Sequence, residues 1–213
     1  MRFDREMLRL YAVTDRAWVG RQTLSEQIED ALRGGVTLVQ LREKNLAKEE
    51  FVVEAKAVLA LCRQYGVPLI INDRLDVALE SGADGVHVGI EDAPVSEIRR
   101  QAGPDFIIGA TAKTVAQARA AQSAGADYLG VGAVFPSPTK RNAIRITAEA
   151  LREICSSVSI PAVAIGGITL ENASSLRGCG ADGIAVVSAL FGAPDIARAA
   201  AALRAQAEAI AKP

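Results

Sequence analysis

Gly82-Ala83-Asp84-Gly85-Val86-His87-Val88 returns twice in outline, as Gly125-Ala126-Asp127-Tyr128-Leu129-Gly130-Val131 and as Gly180-Ala181-Asp182-Gly183-Ile184-Ala185-Val186. Each time an amphipathic stretch of helical period stops at Gly-Ala-Asp and a short β-rich run begins. Glycine tolerates the left-handed conformation that closes a helix, so each copy reads as a helix end feeding a strand through a tight loop. Gly34-Gly35 punctuates the chain in the same way before an earlier run.

Outward from these markers, strands are expected near Leu10–Thr14, Thr37–Arg42, Leu69–Asn72, Gly85–Val88, Phe106–Ala110, Tyr128–Val134, Ala162–Ile165 and Gly183–Val187. Helical stretches follow them at Leu24–Arg33, Lys48–Gln64, Leu75–Glu80, Val95–Gln101, Val115–Ala124, Ala148–Ser156, Leu170–Leu176 and Asp195–Ile210. Strand–helix alternation of this kind means a parallel sheet with right-handed crossovers. Eight units close most naturally into one α/β domain over residues 1–213, a (β/α)8 TIM barrel. The alternative is an open doubly wound sheet. It would usually carry Gly-x-Gly-x-x-Gly after the first strand, where this chain has Val13-Thr14-Asp15-Arg16.

The 213 residues carry 24 Lys+Arg against 25 Asp+Glu, and half of them are hydrophobic. That balance excludes wholesale disorder and leaves no global basic field for nucleic acid, so an anionic ligand must be met by a few local cations. No apolar run approaches the ~18 residues of a membrane span. The first ten residues, with Arg2, Asp4, Arg5, Glu6 and Arg9, do not form a signal-peptide core. Cys62, Cys155 and Cys179 lack metal-ligand spacing and read as buried thiols of a reducing compartment. The expectation is a cytoplasmic protein.

In such a barrel the chemistry sits at the C-terminal ends of the strands. Alternation in Leu38-Val39-Gln40-Leu41-Arg42-Glu43-Lys44 aims Gln40, Arg42 and Lys44 at the mouth. Two cations there suit a phosphate or diphosphate, a solvated strand end being the blander reading. Asp73, after Ile71-Asn72, and Asp92, after Gly89, suit Mg²⁺, or else cap the helices that follow. The fifth strand ends on Thr111. The sixth runs into Phe135-Pro136-Ser137-Pro138-Thr139-Lys140, a stiffened loop or a mere surface turn. Gly166-Gly167 and Val187-Ser188 end the last two strands, where phosphate cups of such barrels lie. One rim thus carries a cationic, Mg²⁺-assisted anion site and a backbone-amide cup, which suggests two phosphorylated substrates, one leaving as a diphosphate. His87, the single histidine, reads more readily as structural than as an acid–base group. Trp18 is either part of a lid or a packing anchor.

Gln40-Leu41-Arg42-Glu43-Lys44, Asn72-Asp73, Gly85-Val86-His87-Val88-Gly89 with Asp92, Thr139-Lys140 and Ala164-Ile165-Gly166-Gly167-Ile168 together resemble the thiamine-phosphate synthase (thiamine-phosphate pyrophosphorylase) family, in order over nearly the whole chain. The resemblance implies condensation of hydroxymethylpyrimidine diphosphate with hydroxyethylthiazole phosphate, or its carboxylated form, to thiamine phosphate and pyrophosphate. Carried over residue by residue, Gln40, Arg42, Lys44, Asn72, Thr111 and Lys140 would hold the pyrimidine diphosphate. Arg42, Lys44, Thr111 and Lys140 would assist departure of the pyrophosphate, and Asp73 and Asp92 would hold Mg²⁺. Ser137, Pro138, Thr139, Gly166, Gly167, Val187 and Ser188 would surround the thiazole phosphate.

Three positions depart from the family's habit. Thr111 stands where Ser is common, Ser137 where Thr is common, and Lys113 where many relatives carry His. That last departure argues against a thiazole tautomerase of the same barrel type, which uses a His near this place. A non-catalytic sensor of thiamine precursors could dispense with Asp73 and Asp92. The partners implied are small molecules, not nucleic acid or membrane, and a homo-oligomer stays open.

Overall fold

The structure, a computed structural model, describes residues 3–20, 22–136 and 145–211. Eight parallel strands close into a barrel in sequence order: β1 (Leu10–Val13), β2 (Leu38–Leu41), β3 (Leu69–Asn72), β4 (Gly85–Val88), β5 (Ile107–Ala112), β6 (Tyr128–Gly132), β7 (Ala162–Ile165) and β8 (Gly183–Val186). β8 pairs back onto β1, with Leu10 opposite Ile184. The helices are α1 (Leu24–Arg33), α2 (Lys48–Gln64), α3 (Leu75–Ser81), α4 (Val95–Ala102), α5 (Val115–Ser123), α6 (Ala148–Ser156), α7 (Ser188–Phe191) and α8 (Ile196–Ile210). Leu170–Leu176, expected as a helix, is a single 3₁₀ turn at Ala173–Leu176. The Asn172 side chain sets that turn. It accepts from the Thr169 N–H and donates to the Gly167 carbonyl, bonds that compete with a helical start.

Alternation sorts the strand residues into two cores. Leu10, Ala12, Val39, Leu41, Ile71, Val86, Ile108, Leu129, Ala164 and Ile184 face outward and pack with the buried faces of the helices. Tyr11, Val13, Leu38, Ile70, Ile107, Tyr128, Val163 and Ala185 fill the barrel itself, with Leu8 among them. Both layers are built from side chains almost wholly removed from water, the arrangement that supplies most of a barrel's stability.

The Gly-Ala-Asp repeat has a definite job at the opposite end from the mouth. Gly82, Gly125 and Gly180 all have positive φ, at 74°, 96° and 84°. Each following aspartate then reaches across to the neighbouring strand. Asp84 accepts the Leu69 N–H at 2.9 Å, Asp127 the Ile108 N–H at 2.7 Å and Asp182 the Ala162 N–H at 2.9 Å. Thr37 does the same for Leu10 with its hydroxyl. The even strands β2, β4, β6 and β8 therefore each latch the start of the odd strand before them. Asp182 is the most buried latch, at 3% exposure, and Arg5 lies beside it. Asp182→Ala is expected to cost about 2–3 kcal/mol, because it strips a charge-assisted partner from a buried N–H. Urea denaturation reads this; a change under about 0.5 kcal/mol would remove the latch from the stability argument.

Cys62, Cys155 and Cys179 are buried thiols, as expected. Among the described residues no helix is long and apolar enough to cross a membrane.

Candidate active site

The C-terminal mouth of the barrel holds a cavity of about 200 Å³. Of the residues expected there, Gln40, Arg42, Asn72, Thr111, Gly166, Gly167, Val187 and Ser188 line it. Tyr11, His87 and Lys113 line it as well. Lys44 does not. It is exposed and borders an adjoining cleft with Asp15, Arg16 and Glu43, and Arg42 is common to both spaces. The reason is local: β2 ends at Leu41, Arg42 directly after it still follows the alternation that aims Gln40 inward, and Lys44, three residues past the strand, sits in a bend that the alternation no longer governs. Ser137, Pro138, Thr139 and Lys140 lie outside the described residues.

Arg42 is fixed at both ends. Its backbone N–H donates to the Thr14 hydroxyl at 2.9 Å, and its guanidinium donates to Asp15 at 2.8 Å. Glu43 turns the other way and accepts from Arg16 at 2.7 Å. Burial of the Glu43 carboxyl raises its pKa, against the opposing pull of Arg16.

Asp73, just after β3, and Asp92, in the turn after β4, come together outside the residues that line the cavity. Asp73 has φ of 61°, unusual for a residue with a side chain, and its N–H is held by the His87 carbonyl. Its carboxylate accepts from the Asn72 amide at 2.6 Å. Asp92 accepts from the Gly89 N–H at 2.6 Å. Neither carboxylate caps a helix: the residues at the N-caps of α3 and α4 are Arg74 and Pro94, and neither helix has a side-chain cap. The Asp73 carboxyl is pushed up to about 6, first by loss of water around it and then by the Asp92 carboxylate, with Arg42 and Asn72 pulling the other way. Among the described residues no third His, Cys, Asp or Glu joins them in a metal-binding group. Mg²⁺ usually takes one or two carboxylates and keeps its waters, so two adjacent carboxylates that repel each other fit that ion.

Gly166 and Gly167 have φ of 104° and 66°. A Cβ on Gly167 would overlap the Phe135 and Pro136 carbonyls, and one on Gly166 would overlap Ala133. The glycines thus let the segment after β6 cross directly over the end of β7, where Val134 and Phe135 bond the Ile165 and Gly166 carbonyls. This packing role was not legible in Gly-Gly as a phosphate cup. Val187 and Ser188 stand at the start of α7, whose first N–H groups have no partner within the turn.

Sequence reasoning missed the polar floor of the cavity. Gln40 Nε2 donates to Tyr11 Oη at 2.6 Å, and Tyr11 Oη lies 2.7 Å from Tyr128 Oη. Tyr128 Oη lies 3.1 Å from His87 Nδ1, and His87 Nε2 lies 3.1 Å from Thr111 Oγ1. His87, Gly109 and Tyr128 are in register across β4, β5 and β6. The middle residue has no side chain, so the outer two meet over it. A signal existed: glycines at alternate positions beside a buried histidine and tyrosine mark a place where large side chains cross. Burial drives the His87 pKa down to about 4 and raises both tyrosines. Trp18 is the packing anchor of the two readings: it is partly buried against the core and lies against Gly192.

A Streptococcus pneumoniae protein named thiamine-phosphate synthase 2 is 50% identical over 193 residues, 91% of this chain and 92% of that one. A Clostridium tetani thiamine-phosphate synthase is 46% identical over 190 residues, 89% and 91% of the two chains. Among solved structures, the thiamine phosphate pyrophosphorylase of Pyrococcus furiosus superposes with a TM-score of 0.88 at 42% identity, over 97% of this chain and 98% of that one. The sequence profile of the thiamine monophosphate synthase family matches residues 10–190, and with the barrel and its rim in place the chain belongs to that family.

Proposed function

We propose that the barrel mouth joins a pyrimidinylmethyl diphosphate to a thiazole phosphate, forming thiamine phosphate and releasing pyrophosphate. The observation that carries this reading is the pairing of Asp73 with Asp92 within reach of the Arg42 charge, next to Asn72 and Arg42, which themselves line the cavity. The methylene C–O bond of the pyrimidine breaks, its electron pair leaves with the diphosphate, and the thiazole nitrogen supplies the pair for the new C–N bond. An electron-rich aminopyrimidine delocalises the positive charge between those events.

Arg42 holds the departing diphosphate, Asn72 and Thr111 contact it, and Lys113 adds charge from just beyond the end of β5. Lys44 and Lys140 belong to the same proposal, Lys44 from the adjoining cleft that Arg42 shares. Asp73 and Asp92 would hold Mg²⁺, which supplies further positive charge to the leaving group. Charge grows on that oxygen as the bond breaks, so these cations favour the transition state over the intact ester. Gly167, Val187 and Ser188 orient the thiazole phosphate through backbone N–H groups and a hydroxyl, together with Ser137, Pro138 and Thr139. A thiazole nitrogen needs no general base, in accord with a lone histidine kept neutral by burial. Three buried thiols suit a reducing cytoplasm.

The test is pyrophosphate release with each precursor alone and with both, with and without Mg²⁺. Release only with both precursors and Mg²⁺ is expected; none at any Mg²⁺ concentration would overturn the reading. Isomerisation of a thiazole phosphate without metal would instead assign a tautomerase, and tight binding of both precursors without turnover a sensor.

Asp73 gives a pH-dependent expectation. Its folded carboxyl keeps a proton that the unfolded chain has already lost between the usual 3.8 and about 6. That proton's contribution to stability is therefore complete below the lower value and gone above the upper one. Mg²⁺ competes with the proton, so the rise in Tm on adding Mg²⁺ should be larger at pH 7.5 than at pH 5 and should vanish in Asp73→Asn. Equal rises at both pH values would separate Asp73 from the metal.

A further inference from the structure

The floor of the cavity is one continuous line of hydrogen bonds through five strands: Gln40 on β2, Tyr11 on β1, Tyr128 on β6, His87 on β4 and Thr111 on β5. Tyr11 and Tyr128 are at most 1% exposed and His87 8%. Buried polar hydrogens must each find an acceptor, so the hydrogens along such a line are ordered and not independent.

The order follows from its first member. The Gln40 amide nitrogen can only donate, which makes Tyr11 Oη an acceptor and leaves Tyr11's own hydrogen for Tyr128 Oη. Tyr128 then donates to His87 Nδ1. A neutral imidazole has one N–H, so it sits on Nε2 and donates to Thr111 Oγ1. Thr111 accepts there, and its own hydrogen is left for the cavity. At the other end, the Gln40 carbonyl oxygen is left for the cavity that this residue lines. Were the line reversed, Thr111 would donate to His87 and show lone pairs to the cavity, which an anion would meet with repulsion.

We propose that Tyr11, Tyr128 and His87 are positioning residues: the line they form holds the Thr111 hydroxyl as a hydrogen-bond donor aimed at the leaving diphosphate. This rests on the pyrimidine-diphosphate reading above. The line moves no proton; it sets polarity before substrate arrives, so no reorganisation is needed as charge develops. The neighbouring glycines protect it. A Cβ on Gly130 would stand 3.0 Å from His87 Cε1, and one on Gly109 would overlap His87 Nδ1 and Tyr128 Oη.

His87 is the only histidine in the chain, so its ¹⁵N NMR spectrum is unambiguous and requires no turnover. In the unaltered protein at pH 7.5 the ring is expected with hydrogen on Nε2 and a bare Nδ1. Hydrogen on Nδ1 instead, or a doubly protonated ring, would overturn the proposal while leaving the assigned activity untouched. Kinetics then test the consequence. Thr111→Val is expected to lower kcat by about 10²-fold, the usual loss for one such donor, and Thr111→Ser to restore it. Tyr128→Phe keeps the ring and removes the hydroxyl. It should lower kcat about 10-fold, with KM for the pyrimidine diphosphate changed less than about threefold, as for a group acting only on the transition state. The Thr111→Val/Tyr128→Phe double variant should be no slower than Thr111→Val alone, since both act through one hydroxyl. Losses that multiply in the double variant would mean that Tyr128 acts merely on the fold.

Discussion

Arg42→Ala is expected to lower kcat/KM for pyrophosphate release by about 10²–10³-fold while the fold is kept, as for loss of one preorganised charge-assisted donor. Three contacts define what this residue does. Thr14 holds its N–H, Asp15 holds its guanidinium, and its charge is felt by the Asp73 carboxyl. It also borders both the central cavity and the adjoining cleft. No other described cation shares that position: Lys113 lines only the first space and Lys44 only the second. Arg42→Lys keeps the charge and loses the planar fork, so it should recover only part of the rate. Steady-state kinetics with both precursors checks this, alongside thermal melting of the same samples. Turnover within threefold of the unaltered protein would remove Arg42 from the mechanism.

Gly109→Ala should cost about 3 kcal/mol or more, where ordinary overpacking costs 1–3. The added Cβ would overlap Tyr128 Cζ and Oη and His87 Nδ1. Neither ring can retreat. Tyr128 is fully buried, stacked on Phe3 at a centroid separation of 5.1 Å and edge-on to Tyr11 at 5.9 Å. His87 is hemmed in by the position of Gly130. The variant should melt well below the unaltered protein, and the molecules that stay folded should turn over slowly, because the His87–Tyr128 bond is broken. Calorimetry and kinetics on one preparation separate the two effects. A Tm within about 2 °C of the original would show that the rings have room to move.

The amino-acid order by itself determined the eight-unit alternation, the three strands Leu69–Asn72, Gly85–Val88 and Ala162–Ile165 to the residue, and the inward aim of Gln40 and Arg42. These are properties of period two, of period 3.6 and of glycine at a helix end, and a short window of chain carries them. Only the tertiary structure decided which residues meet. The latches from Gly-Ala-Asp and the line from Gln40 to Thr111 depend on the register between strands far apart in the chain. Register comes from packing around a closed ring, where Gly109 and Gly130 leave the space that His87 and Tyr128 fill. No window of sequence contains both sides of that contact.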